Sequence, residues 1–198
     1  MASSAIRHPD ALNIEAFLAF ADRQSPDEHW ELHDGVPRLM VGGTARHARI
    51  AGNIDHALFA TARARGCEVF RDFLLEANEF NAFEPDVMIR CGGIDDRVRR
   101  TADPVVVFEV HSPSTMGIDR GLKFDRYRAI PSLQQIVFVY QDSYRVEAWT
   151  RQDGEWEEEP TVLTAIDVSL QIPAIGTSLA MSDIYLDVTP SPLGSNAR

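Results

Sequence analysis

Asp86, Glu109 and Lys123 are the side chains whose types and order could do hydrolytic chemistry in this chain. Asp86 follows Pro85, Glu109 closes the apolar run Val105-Val-Val-Phe108, and Lys123 comes shortly afterwards. Lys123 is the only lysine: of 19 basic residues, 19 − 1 = 18 are arginine. If the segments that carry the two acids are neighbouring strands, as short connections favour, their carboxylates converge at one edge of a sheet. Two hard oxygen ligands, completed by waters and the Val110 carbonyl, make a site for Mg2+ or Mn2+. An ion so placed lowers the pKa of a bound water and neutralises charge developing on a phosphodiester. A compact ammonium such as Lys123 would orient or activate that water, or touch the phosphate, in a way a planar guanidinium cannot.

Each residue also has an ordinary reading. Asp86 after a proline could simply start a turn. Lys123 could pair with Asp119 one turn earlier, an exposed contact worth about 0.3 to 0.5 kcal/mol. Glu109 is hardest to explain away, because a carboxylate at the end of a buried strand is costly without a partner.

The elements that must position these groups are legible in outline. Asn13 to Arg23 reads as a short helix with Asn13 as its N-cap. Asp34-Gly35 between two alternating runs is a hairpin signal that places Glu31 on the first strand. Thr44 can cap a long helix that ends at Gly66, with His47 on the same face as Ile50, Ile54 and Leu58. Strands are expected over 68–76, 84–90, 104–111 and 133–140; the third, apolar on both parities at Val105 to Phe108, is a central strand covered on two faces. A helix from about Ile118 to Ala129 follows, ended by Pro131, with Lys123 and Tyr127 as i, i+4 neighbours. A last hairpin turns at Gln152-Asp-Gly154, and short segments follow around Ile172 and Met181.

At 198 residues the chain suits a single domain over 1–189, with 190–198 as a loose tail. The net charge of −11 argues against nonspecific coating of nucleic acid, whose affinity comes from neutralised phosphates. Basic residues nonetheless gather near the acids, at Arg97, Arg99, Arg100, Arg120, Lys123, Arg126 and Arg128. No stretch approaches the roughly 20 apolar residues that span a bilayer, so no membrane role is expected. Cys67 and Cys91 have no metal-ligand spacing and do not constitute a disulfide framework, which makes a reducing cytoplasm the default.

Pro85-Asp86, then Glu109-Val110-His111, then Lys123 resembles the PD-(D/E)XK nuclease superfamily, in a form where the lysine has moved from the strand to the next helix. More narrowly, Trp30-Glu-Leu-His-Asp-Gly35, the His47 helix, Glu84-Pro-Asp-Val87, Val107-Phe-Glu-Val-His-Ser-Pro-Ser-Thr115, Lys123 and Tyr127 resemble the Uma-two family of restriction-endonuclease homologues. The match runs from about Trp30 to Tyr185. It implies an α/β fold with a restriction-endonuclease-like mixed central sheet, flanking helices and additional hairpins. It also implies Asp86 and Glu109 as metal ligands, Lys123 as the catalytic ammonium, DNA as substrate and a homodimer that cuts two strands.

The chain departs from the simple superfamily pattern at His111, where the usual lysine would stand. Strand alternation puts His111 on the side of Glu109, where it could bind metal, relay a proton or occupy space. His47 could assist proton movement or be a core histidine. Glu31 could be a third acid near the metal or a cross-strand partner, and Tyr127 could pack or offer its hydroxyl to phosphate. Ser112 and Ser114 suit turn shaping and helix capping better than nucleophilic attack, since no Gly-x-Ser-x-Gly elbow surrounds them. Two further readings stand beside the nuclease: a non-catalytic interaction or assembly module that keeps the fold, and a metal hydrolase for small phosphorylated substrates.

Overall fold

The computed structural model describes residues 10–111 and 119–191. Ser112, Ser114 and the tail beyond Ser191 lie outside the described residues.

Local signals act where the sequence places them. Helix α1 (Ile14–Ala21) starts at Asn13, whose side chain accepts from the Ala16 N–H. The hairpin of β1 (Trp30–His33) and β2 (Val36–Leu39) turns through Asp34 and Gly35, at φ 48° and 84°; the second is a conformation glycine adopts without a Cβ penalty. Helix α2 (Ala45–Ala64) is capped by the Thr44 hydroxyl and ends before Gly66, at φ 71°. Chain from α2 then forms β3 (Cys67–Phe70), β4 (Leu74–Asn78), β5 (Asn81–Phe83), β6 (Val87–Cys91), β7 (Arg100–Thr101) and β8 (Pro104–His111).

Two expectations need correction here. The stretch 68–76 is not one strand, because the chain turns at Asp72, φ 49°, and sends β3 and β4 into different sheets. The expected helix after β8 begins as a π-helical turn, Asp119–Lys123, and continues as the short α3 (Phe124–Arg128). Strand β9 (Gln135–Tyr140) follows, then β10 (Val146–Gln152), β11 (Glu155–Trp156), β12 (Thr161–Leu163), the pair β13 (Ser169–Ile172) and β14 (Thr177–Ala180), and α4 (Met181–Ile184).

The main sheet runs β11-β10-β9-β8-β6-β3, with β12 also on β10. Its strands pair antiparallel except β8 and β9, which are parallel. A smaller sheet, β2-β1-β5-β4-β7, is likewise mixed. The fold is therefore α/β with mixed sheets, as the sequence implied. On one face of the main sheet, Ile50, Ile54 and Leu58 of α2 meet Val106, Phe108 and Val110 of β8. On the other, Tyr127 of α3 meets Val107, Phe138 and Phe83. β8 is thus covered on both sides, which is why its apolar run has no polar parity.

Cys67 and Cys91 stand directly opposite each other on β3 and β6, and their sulfurs are bonded. Their spacing of 24 residues hid this, because the intervening β4 and β5 belong to the smaller sheet and only strand register brings the pair together. The two cysteines, read from the sequence as no disulfide framework, form one disulfide.

Candidate active site

Antiparallel register pairs Val87 of β6 with Phe108 of β8, so Asp86 and Glu109 lie side by side one residue further on. The Val110 N–H donates to Asp86 Oδ2 at 2.6 Å, which ties the first acid to the residue next to the second. Alternation along β8 turns Val110 towards α2 and leaves Glu109 and His111 facing α3.

Lys123 does not point into water. It is 2% exposed, and its Nζ lies 2.8 Å from Glu31 Oε1 and 3.4 Å from Glu109 Oε1. Tyr127, one helical turn on, donates its hydroxyl to the same Glu109 oxygen at 2.6 Å. The π-helical turn delivers Lys123 and α3 delivers Tyr127, so the i, i+4 relation of the sequence becomes two donors on one carboxylate.

Glu31 is fully buried, and its oxygens are shared among three donors. Oε1 accepts from the Glu84 N–H at 2.9 Å as well as meeting Lys123, and Oε2 lies 2.7 Å from His33 Nε2. Burial pushes the Glu31 carboxyl up, but the Lys123 charge and the His33, Lys123 and Glu84 donors outweigh it and hold the carboxyl below its ordinary value. Glu31 therefore fixes both the lysine and the Glu84-Pro85-Asp86 turn, a role that neither sequence reading of it contained.

His47 reaches the pair from the other face. Its Nε2 is 2.9 Å from Asp86 Oδ1, and the first turn of α2 that holds it is pinned by Thr44, whose hydroxyl donates to the buried Gln141 at 2.8 Å. Burial pushes the ring's pKa down, yet the bond and charge of Asp86, with a hydrogen bond to the Val110 backbone, hold it above the ordinary value. His111 differs. Burial first, then the Arg120 charge, press its pKa to about 4, and its ring stacks on Phe138 at 4.3 Å between centroids. At neutral pH it is an uncharged ring in an aromatic cluster.

The structure thus brings together Asp86, Glu109, Lys123, His47, Glu31, Tyr127 and Val110, with His111 buried beside Phe138 and Tyr140 and Ser112 outside the described residues. Sequence reasoning missed Gln141, and it missed the exposed His29, whose Nδ1 lies 2.7 Å from Glu84 Oε2. Gln141 directly follows a strand that reads as buried throughout, and a polar side chain in that position is the signal that could have exposed it. Among the described residues, no three His, Cys, Asp or Glu side chains converge on a point that could hold an ion.

The chain as a whole has relatives. The family model described as "Uma2: Putative restriction endonuclease" matches residues 14–182. This chain belongs to the Uma2 family. Two uncharacterised proteins of Synechocystis are similar to this Uma2 chain: slr1290, 31% identical over 183 residues covering 88% of this chain and 91% of the relative, and sll1609, 31% identical over 125 residues covering 59% and 70%. A crystal structure from Anabaena variabilis, described as a "putative nuclease belonging to DUF820", superposes with a TM-score of 0.70 over 87% of this chain and 97% of that one. At 13% identity that likeness speaks for a shared fold.

Proposed function

We propose that this Uma2 chain is a metal-dependent endonuclease that hydrolyses phosphodiester bonds in DNA. The observation that carries the reading is the buried Lys123 ammonium beside Glu109, with Asp86 tied to Val110 next door. A lysine buried against one acid of an acidic pair is an expensive arrangement for a purely structural purpose.

The donor chemistry fits Mg2+ or Mn2+. Asp86 and Glu109 offer hard carboxylate oxygens, with the Val110 carbonyl as a third oxygen, and the acids Asp86, Glu109 and Glu31 against Lys123 sum to −3 + 1 = −2. Mg2+ keeps several waters and binds through one or two carboxylates plus substrate phosphate, so it needs no all-protein cage. Bound there, the ion would supply a water of lowered pKa and offset charge on the attacked phosphate. Lys123, braced by Glu31, positions or activates the nucleophilic water. Tyr127 holds the Glu109 carboxylate in its orientation. His47, its pKa raised beside Asp86, is the better placed histidine to accept or return a proton near neutral pH. His111, neutral down to about pH 4, packs against Phe138. A homodimer would bring one such site to each strand of a duplex.

Purified protein with Mg2+ or Mn2+ is expected to cut DNA, and Glu109→Ala and Lys123→Ala are each expected to abolish the cut. Cleavage that survives both substitutions sinks the assignment. One observation favours a second reading, a non-catalytic module of nuclease fold: Lys123 lies nearer Glu31 than Glu109, and both Asp86 oxygens already accept bonds. Calorimetric titration with Mn2+ separates the two. The nuclease binds the ion and loses that binding in Asp86→Ala, whereas the module shows no heat at millimolar metal.

A further inference from the structure

Parallel register places Glu109 of β8 opposite Phe138 of β9, and antiparallel register places Phe138 opposite Glu147 of β10. The three side chains form one row across the same sheet face, so Glu147 stands two strands from Glu109, about 10 Å away at the usual strand spacing. Glu147 is buried, yet it is bound by two arginines. Its Oε1 accepts from Arg145 Nε at 2.7 Å and meets an Arg145 terminal nitrogen at 2.6 Å, while Oε2 pairs with Arg120. Arg145 places both nitrogens on Oε1 and leaves the buried Oε2 to Arg120, and the cluster sums to +2 − 1 = +1 in a chain of net charge −11.

Both guanidiniums are oriented and open. Their side chains keep 40% and 41% of their surface exposed. The Tyr140 ring lies within 5.7 Å of the Arg120 guanidinium carbon and 5.6 Å of that of Arg145. The backbone that carries Arg145 is anchored in turn. The Tyr185 hydroxyl lies 2.8 Å from the Tyr140 carbonyl oxygen and 2.9 Å from that of Arg145, and accepts from the Arg145 N–H at 3.2 Å. Burial pushes the Tyr185 pKa up, so the hydroxyl stays a donor.

We infer that Arg120 and Arg145, held by Glu147, form a clamp for a backbone phosphate of a nucleic-acid strand that runs from Glu109 towards β10. This rests on the nuclease reading of the Glu109 site and adds the path of the substrate to it. The offset of roughly 10 Å keeps the clamped phosphate within a few nucleotides of the bond attacked. Planar forks suit a phosphate at such a place, because they can hold Glu147 with one edge and the phosphate with the other. The local surplus also answers the acidic net charge: a chain that repels DNA overall needs its cations concentrated where the strand passes.

The test is fluorescence anisotropy of a labelled DNA duplex, in Ca2+, over a series of salt concentrations. Arg120→Gln/Glu147→Gln removes one charge of each sign and leaves the net charge unaltered. Its binding is expected to weaken by about tenfold, with the slope of log K against log salt smaller by about 0.9 for the lost phosphate contact. Arg145→Gln, which leaves Glu147 paired with Arg120, is expected to show the same change and decides the matter if the double variant fails to fold. Unchanged affinity and slope in folded variants would overturn the clamp even where the wild type cuts DNA, and reduce the arginines to neutralising Glu147. Clamp-dependent binding by a chain that never cuts would support the clamp and end the nuclease reading. A wild type that binds no DNA at low salt overturns both.

Discussion

Lys123 serves two purposes at once, and a loss of cleavage on its removal would not separate them. Lys123→Met leaves Glu31 and Glu109 buried without their shared cation, which is expected to cost about 3 to 5 kcal/mol in urea unfolding. Adding Glu31→Gln removes the excess negative charge, so the double variant should regain most of that stability and none of the cleavage. If cleavage returned with stability, Lys123 would be a structural counter-ion only. Glu31 also sets a pH dependence. Its folded-state pKa lies below the unfolded value, so its contribution is present above that value and is lost as pH falls through the folded one. Glu31→Gln should therefore flatten the acid limb of stability that begins below the ordinary carboxylate value of 4.5, followed by denaturant titration at each pH. Asp86, Glu109 and Lys123 were legible as types in an order. The acid that braces the lysine was not, because Glu31 comes from a hairpin far away in sequence and nothing in its own neighbourhood, where Arg38 is its cross-strand partner, points to Lys123.

At the scale of elements, the first turn of α2 has little room. A Cβ on Gly43 would sit 2.6 Å from the His47 ring, closer than packed side chains approach, and the ring cannot swing aside as a flexible chain end would. Gly43→Ala should displace His47 from Asp86 and lower cleavage by about tenfold, while the thermal midpoint moves little because Gly43 lies outside the helix. An unchanged rate would show that the His47 bond to Asp86 has no part in turnover. Strand β8 keeps the bounds its apolar run predicts, since burial on both faces leaves a continuous signal. The division of 68–76 between two sheets was not readable, because one residue with positive φ at Asp72 decides it and aspartate is only weakly diagnostic of that conformation. The π-helical turn before α3 was hidden for a similar reason: its residues suit an ordinary helix, and only the need to reach Glu31 and Glu109 from the crossover distinguishes it.

For the molecule as a whole, the Cys67–Cys91 bond ties the strand that follows α2 to the far end of β6, the strand that begins beside Asp86. Closing a loop of 24 residues restricts the unfolded chain by roughly 3 kcal/mol in the chain-entropy account. Thiol reductant, or Cys67→Ser with Cys91→Ser, should lower the unfolding midpoint accordingly, and identical midpoints in oxidised and reduced protein would show that the bond adds nothing. The pairing of β8 with β9 has a different consequence. Two parallel neighbours cannot be joined by a tight turn, so the chain between them must travel back over the sheet, and here that return path passes above Glu109 with Lys123 and Tyr127 on it. The topology keeps the acids on the sheet and carries the cation that faces them on a separate segment above it, so the two can vary independently.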